Sequence, residues 1–363
     1  AFFIARKLRD AGCHPDMAVS VLRMWDKLQA VSLVDTDGEG IFEDKVKNAY
    51  GDKKFESPRL SLASIKTTAE MRKDYDEYIL SLKHGRVKLG LEEVDKLLRA
   101  IAPGEVVTVI AKSGVGKTAF VQTVLANVAH LSPNLKSLFC SMEQPIAQCY
   151  ERWAQMDSGL AGAQIETGWE KPEFRDKIAK GIEDRFGDRV LVCDVAGLRM
   201  GEIDDAIDLA EEKCGQSINL LVLDYMGLID GSDLDRTIYA QVSKIARELK
   251  SMAKRRKLVV MLLCQVSRAE GDDGSKPLNI GSARESGAIE ESADYLIGLY
   301  RPFIAEPEKD NEIVVQILKN RKGAPHYDGF SYFFDKRSMR ITEMEDAGVP
   351  RNERPQEPKG MGW

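Results

Sequence analysis

The chain has 363 residues, 43% hydrophobic and 30% charged, with a net charge of −6; that leaves room for one large core and a smaller unit, about two domains. The charge excludes a wholly basic surface though not a local stripe of positive charge, and with no bilayer-length apolar run no membrane association is expected. The six cysteines form no C-x-x-C pair and fall mostly in apolar runs, which argues against a zinc or disulfide scaffold and for a reduced, cytosolic protein with buried thiols.

From the N-terminus, residues 1–58 read as a small helical region. Ala1 to about Gln29 has helical periodicity, with Val21, Met24, Trp25 and Leu28 at the spacing of one face. Ala1 stands where a methionine would begin a whole chain, which suggests a piece of a longer one. After the turn-rich "VDTDGEG", "IFEDKVKNAYG" offers one more short helix, and "DKKFESPRLS" reads as a linker. Residues 59–85 carry a linker helix expected from Ser64 to Leu82, on which Met71, Tyr75, Tyr78 and Leu82 make a narrow apolar stripe. Such a helix needs a partner surface.

Over residues 86–343, apolar β-rich runs alternate with helical periods, the pattern of a central, mostly parallel α/β sheet. The expected strands are "VVTVIA", "SLFCSM", "RVLVCDV", "NLLVLDY", "LVVMLLC" and "YLIGLY", each apolar on both faces as strands covered by helices must be. "NEIVVQILKN", "GFSYFFD" and "SMRIT" follow without intervening helices, so the sheet should finish in antiparallel strands. Residues 344–363, polar and proline-rich, read as a flexible tail.

The first strand runs into "AKSGVGKT" and then a helix. This is a phosphate-binding loop in its proper context: backbone N–H groups of Ser113, Gly114, Val115 and Gly116 converge on oxyanions, Lys117 adds a mobile positive charge, and the Thr118 hydroxyl ligates magnesium. ATP or another NTP, with Mg, is therefore the expected cofactor. Asp224, ending "NLLVLD", is the expected second magnesium ligand. Asp194 ends a similar strand and can equally cap a turn. Glu143, directly after "SLFCSM", stands where a general base would orient water, and Gln265, after "LVVMLLC", where a side chain could sense the γ-phosphate. The run "KSMAKRRK" from Lys250 to Lys257 could be a basic patch for nucleic acid, but cations are favoured at a helix C-terminus, and the solvated surface reading is preferred.

In this order, "SMEQPIAQCYERW", "LVLDYMGLI", "LLCQVSR", "ARESGAIEESADYLIGLYR" and "KNRKG", following an A-x-x-x-x-G-K-T loop, resemble the RecA-like motor domain of DnaB-type replicative helicases. That family often has alanine at the first loop position, as Ala111 is here. The resemblance implies a RecA-like P-loop NTPase, Lys117 on the phosphates, Thr118 and Asp224 on magnesium, Glu143 as catalytic base and Gln265 as γ-phosphate sensor. It implies Arg321, helped by Lys319, as an arginine finger reaching the neighbouring subunit of a homo-oligomeric ring, expected to be a hexamer. It also places Arg284, Glu285 and Gly287 on a loop that holds single-stranded DNA, Arg284 neutralising phosphate, Gly287 letting the main chain approach and Glu285 positioning Arg284. Residues Ala1 to about Gly51 look a little like the helical tail behind the primase-polymerase domain of phage and mobile-element primase-helicases, which implies a primase as domain or partner. The family's N-R-x-x-E is replaced here by "DRTIYAQVSKIARELK". A RecA-like recombinase, a KaiC-like regulatory ATPase and a nucleotide-bound assembly scaffold share the loop, and stand as alternatives to the hexameric DNA helicase.

Overall fold

The computed structural model describes residues 4, 7–8, 12–26, 42, 46, 65–195, 197–224, 238–266, 273–279 and 291–345, and the chain divides into two units, 1–79 and 80–363. In the first unit the expected long opening helix is broken. Gly12 adopts the left-handed conformation with φ 74, the Cys13 N–H closes back on the Leu8 carbonyl at 2.9 Å, and a new helix, α1 (Pro15–Asp26), begins with proline in its first position. The buried stripe of α1 is Ala18 and Leu22, which cluster with Phe42 and Val46. The stripe expected from the sequence faces elsewhere: Val21 and Met24 are exposed, and Leu28 lies outside the described residues. Apolar residues occur on both sides of this helix, and the position of Phe42 and Val46 decides which side is covered.

The linker helix, α2 (Thr68–Gly85), starts four residues later than expected and ends three later. Its start is set by a capping box: Glu70 Oε2 accepts both the Thr67 N–H and its hydroxyl at 2.8 Å. Met71, Tyr75 and Tyr78 of the apolar stripe are exposed, whereas its fourth member, Leu82, is buried.

In the second unit a bridge between Val87 and Ile101 closes the lead-in segment around α3 (Glu92–Leu98). The strands are β1 (Val106–Ala111), β2 (Ser137–Ser141), β3 (Val190–Cys193), β4 (Leu220–Asp224), β5 (Val259–Gln265), β6 (Tyr295–Tyr300), β7 (Glu312–Asn320), β8 (His326–Asp335) and β9 (Arg340–Thr342). They form one sheet in the order β3-β2-β4-β5-β1-β6-β7-β8-β9. From β3 to β6 every pairing is parallel, and from β6 to β9 every pairing is antiparallel. All the strand runs read from the sequence are present.

Alternation at a period of two sends successive side chains into two cores. Val107, Val109 and Ala111 of β1 join one cluster, while Val106 and Ile110 join the other. The first face is covered by α4 (Lys117–Leu131) and by α5 (Ile146–Ser158), α6 (Gly162–Gly168) and α7 (Pro172–Arg185). Trp153 of α5 stacks on Phe186 just beyond α7, ring centroids 4.3 Å apart. The second face is covered by α8 (Met200–Cys214) and α9 (Ile238–Arg256), through Ile203, Ile207, Leu249 and Met252. The fold is therefore an α/β sheet with helices on both faces. No helix among the described residues is long and apolar enough to cross a membrane, and all six cysteines are free thiols.

The basic run at the end of α9 is tied into the fold. Arg256 donates to Asp204 at 2.9 Å and to Asp208 at 2.5 Å, Arg255 also pairs with Asp204, and Lys250 donates to the Gly104 carbonyl at 2.9 Å and pairs with Asp294. The hydrogen bond from Arg256 to Asp208 pushes the guanidinium further toward its charged form. The run is thus less solvated than the sequence reading expects: Lys250, Arg255 and Arg256 pin α9 to α8 and to the base of β1. Arg256→Ala should lower the thermal midpoint, by about 1 kcal/mol of stability for a partly exposed ion-pair network, and leave affinity for single-stranded DNA unchanged. A matched pair of melting curves and fluorescence-anisotropy titrations checks this.

Candidate active site at the carboxyl edge of the sheet

The parallel pairings bring several strand ends to one edge. Ala111 lies in register with Gln265, and Ser141 with Asp224. Ala111 is the buried last residue of β1, with ordinary extended backbone; glycine is not required there because the chain has not yet turned. The turn comes later. Gly114 and Gly116 have φ of 81 and 117, a region that side-chain-bearing residues rarely adopt. Gly116 is the N-cap of α4, so the loop ends with helix N–H groups aimed at the place an anion would occupy.

Lys117 folds back over this loop, its Nζ donating to the Ala111 and Lys112 carbonyls at 3.3 Å each. Burial pulls the ammonium pKa down, and the charges of Asp224 and Glu143 oppose that shift. Thr118 Oγ1 donates to Asp224 Oδ2 at 2.8 Å. Burial raises the Asp224 pKa; the Thr118 hydrogen bond and the Lys117 charge counter it, whereas Glu143 adds to it. A hydroxyl and a buried carboxylate held within hydrogen-bond distance are hard oxygen donors suited to Mg²⁺. Glu143 follows β2 on the same edge and is exposed, and Gln265 ends β5 as its one exposed residue. Thus Lys117, Thr118, Glu143, Asp224 and Gln265 come together around the loop, with Ser113 exposed and Val115 buried beneath it.

Arg321 and Lys319 do not join them. Lys319 pairs in register with Leu296, one residue into β6, and the Arg321 N–H bonds to the Asp294 carbonyl at 3.0 Å. Asp294 in turn accepts the Val106 N–H at 2.8 Å, at the start of β1. The finger candidates therefore stand at the amino edge. Val106 and Ala111 are five residues apart on β1, about 17 Å at roughly 3.3 Å per residue, well beyond the reach of an arginine side chain. Arg284, Glu285 and Gly287 lie outside the described residues.

Two contacts went unread in the sequence. Arg301, at the end of β6, donates from Nη1 to the Gly114 carbonyl at 3.1 Å, and its guanidinium pairs with Asp310 and lies 5.2 Å from the centre of the Phe334 ring. A lone arginine ending an apolar strand was the available signal. Asp294, a lone carboxylate just before the same strand, was the other. Asp194, by contrast, caps the first turn of α5, accepting the Ile146 N–H at 2.9 Å.

Comparison with known proteins bears on the family and the fold. The pattern of the DnaB-like helicase C-terminal domain matches residues 86–343. The chain is 28% identical over 269 residues to the replicative DNA helicase DnaC of Bacillus subtilis, covering 73% of this chain and 59% of that protein. It is 27% identical over 240 residues to the replicative DNA helicase DnaB of Geobacillus stearothermophilus, covering 65% and 52%. The chain thus spans little more than half the length of the curated relatives it matches. Among solved structures, the ATPase domain of G40P superposes with a TM-score of 0.67 at 24% identity, over 77% of this chain and 99% of that one. A DnaB-like replicative helicase, described with its interactions with primase, superposes with a TM-score of 0.68 at 21% identity, over 91% and 76%. The two likenesses carry the RecA-like ATPase fold, and the family pattern over most of the chain carries the rest: through residues 86–343 this chain belongs to the DnaB-like helicase C-terminal domain family.

Proposed function

We propose that the chain is the NTP-driven motor of a hexameric ring that translocates on single-stranded DNA and unwinds duplex during replication, in the cytoplasm of a bacterial or phage-infected cell. The observation that supports it most is the split of the hydrolytic set between two edges of one sheet. The phosphate loop, Thr118, Asp224, Glu143 and Gln265 occupy one edge, and Arg321 and Lys319 the other. On this reading the arginine finger for the transferred phosphoryl comes from a second copy, whose amino edge would face this carboxyl edge when the ring closes. Such a finger is worth about 10³ to 10⁵ in rate, so turnover is coupled to assembly.

Within one site, backbone N–H groups of Ser113 to Gly116 and the Lys117 ammonium cradle the phosphates. Thr118 and Asp224 would hold Mg²⁺, which would supply positive charge against the phosphates. Glu143 accepts the proton of the attacking water, and Gln265 contacts the γ-phosphate and reports its loss. Arg284, with Glu285 orienting it and Gly287 permitting close main-chain approach, holds the DNA backbone. A primase, as an additional domain or as a partner, would associate with the assembly. The exposed stripe of Met71, Tyr75 and Tyr78 on α2 would dock on the next subunit.

Unwinding of a forked duplex, measured with single-strand-stimulated hydrolysis on the same sample, tests the reading; filament formation without unwinding is the result expected of a recombinase instead. Glu143→Gln should retain nucleotide binding and lose turnover by about 10² to 10⁴, whereas Lys117→Ala should lose nucleotide affinity itself; equilibrium binding and steady-state rates separate the two. Arg284→Ala should weaken single-stranded DNA binding alike for all sequences and reduce the slope of log affinity against log salt by about 1. Replacing Met71 and Tyr75 by serine should shift the sedimenting species from rings toward single subunits, because each large side chain buried at a joint contributes on the order of 1.5 to 3 kcal/mol.

A further inference from the structure

Arg321 does not stand unsupported at the amino edge. Its Nη1 donates to Asp294 Oδ1 at 2.8 Å, although the arginine side chain is 66% exposed and the aspartate only 2%. The anion is itself anchored. Its Oδ2 accepts the Val106 N–H at 2.8 Å and pairs with Lys250 of α9, so the carboxylate is locked to the start of β1 and to a helix on the second core. The flanks of Arg321 are held as well. Asn320 Oδ1 accepts the Lys322 N–H at 3.0 Å while its Nδ2 donates to the Leu97 and Ala324 carbonyls at 3.2 Å. Lys322 Nζ reaches Glu105 Oε2 at 2.9 Å, and Glu105 also accepts the Tyr295 hydroxyl at 3.0 Å.

We infer that Asp294 is the positioning residue of the arginine finger: it grips one edge of the Arg321 guanidinium from beneath and leaves the outward face directed at the neighbouring copy. This rests on the reading of Arg321 as a finger that acts on the next subunit. The physical reason is preorganisation. An exposed arginine samples many rotamers and must surrender that freedom when a phosphate arrives; a buried anion fixed to the sheet removes most of that freedom beforehand, and the guanidinium fork can hold a carboxylate on one side and still donate from the other. Burial would favour the protonated form of Asp294, yet the Lys250, Val106 and Arg321 contacts together hold its pKa below the ordinary value, so it stays an anion. Asp294 touches no nucleotide and acts only through Arg321.

Asp294→Asn keeps the side-chain shape and an oxygen for the Val106 N–H, and weakens the grip on Arg321. In the full chain it should lower DNA-stimulated kcat by about 10- to 100-fold, the range expected when a reacting group is misplaced, while KM for the nucleotide stays within about twofold because the phosphate loop is at the other edge. Arg185→Met, which breaks the part-buried ion pair with Asp157 between α7 and α5, controls for a general loss of stability: it should shift the thermal midpoint and leave kcat within about twofold. Mixed assemblies make the test specific. Lys117→Ala subunits cannot bind nucleotide but carry an intact finger, so mixing them with Asp294→Asn subunits should restore turnover at the Asp294→Asn sites, and mixing them with Arg321→Ala subunits should do the same. If Arg321→Ala is not rescued, the trans finger itself is wrong. If Arg321→Ala is rescued while Asp294→Asn alone keeps full turnover, gains turnover, or loses it without rescue, the finger stands and the positioning role of Asp294 falls.

Discussion

Parallel pairing is the constraint on which the rest of this molecule depends. Because β2, β4, β5 and β1 run the same way and are held in register, their carboxyl ends emerge together, and any side chain placed there shares one edge with the phosphate loop. Ser141 beside Asp224, and Ala111 beside Gln265, follow from that register alone. The change to antiparallel pairing at β7 has the opposite effect. It returns the chain to the amino edge, so Asn320 pairs with Tyr295 and Arg321 emerges beside Asp294. A single change of strand direction thus separates Arg321 from the phosphate loop by the length of β1, and no side-chain movement within one subunit closes that gap.

The two edges solve the problem of buried charge differently. At the carboxyl edge Lys117 and Asp224 are partly withdrawn from water, and burial drives each toward its neutral form. Each is only partly compensated by the other, as the proposed binding of a nucleotide and Mg²⁺ would require. At the amino edge the partners outweigh burial without any ligand: Asp294 has two cations and a backbone N–H, and its pKa lies below the ordinary value. Taking one partner from such a buried cluster is costly, since it leaves an uncompensated charge, whereas the intact cluster adds little net stability over an apolar one. Its value is therefore geometric, which fits a place where direction matters more than binding strength.

Much of this was readable in the sequence because it is local. The strands announced themselves as short apolar runs, and the phosphate loop is contiguous, with its chemistry carried by residue types at fixed spacing. Glu143, Asp224 and Gln265 were legible as polar residues ending apolar strands, once a parallel sheet was assumed. What was not legible depends on partners distant in sequence. Asp294 reaches Val106 across 188 positions and Arg321 across 27, and neither pairing leaves a periodic trace. The orientation of α1 was misread for the same reason: apolar residues occupy more than one side, and only the position of Phe42 and Val46 selects Ala18 and Leu22. The break at Gly12 could have been anticipated from "AGCHP", where a glycine that can end a helix stands just before a proline that can begin one.

The basic run of α9 shows how the same residues acquire a different meaning once their partners are known. As a string, "KSMAKRRK" is a patch of positive charge available to an anion. In the fold, Arg255 and Arg256 are committed to Asp204 and Asp208 of α8, and Lys250 to Asp294, which also holds Arg321. Cations neutralised in this way contribute little field beyond a Debye length and release few counterions on meeting DNA, so they add little to phosphate affinity. Their task is to join α8, α9 and the base of β1 into one rigid block on which Asp294 sits. Lys250, Arg255 and Arg256 are thus better understood as structural ties than as a binding surface, and under the proposed function phosphate affinity would come from cations that the fold leaves without an internal carboxylate.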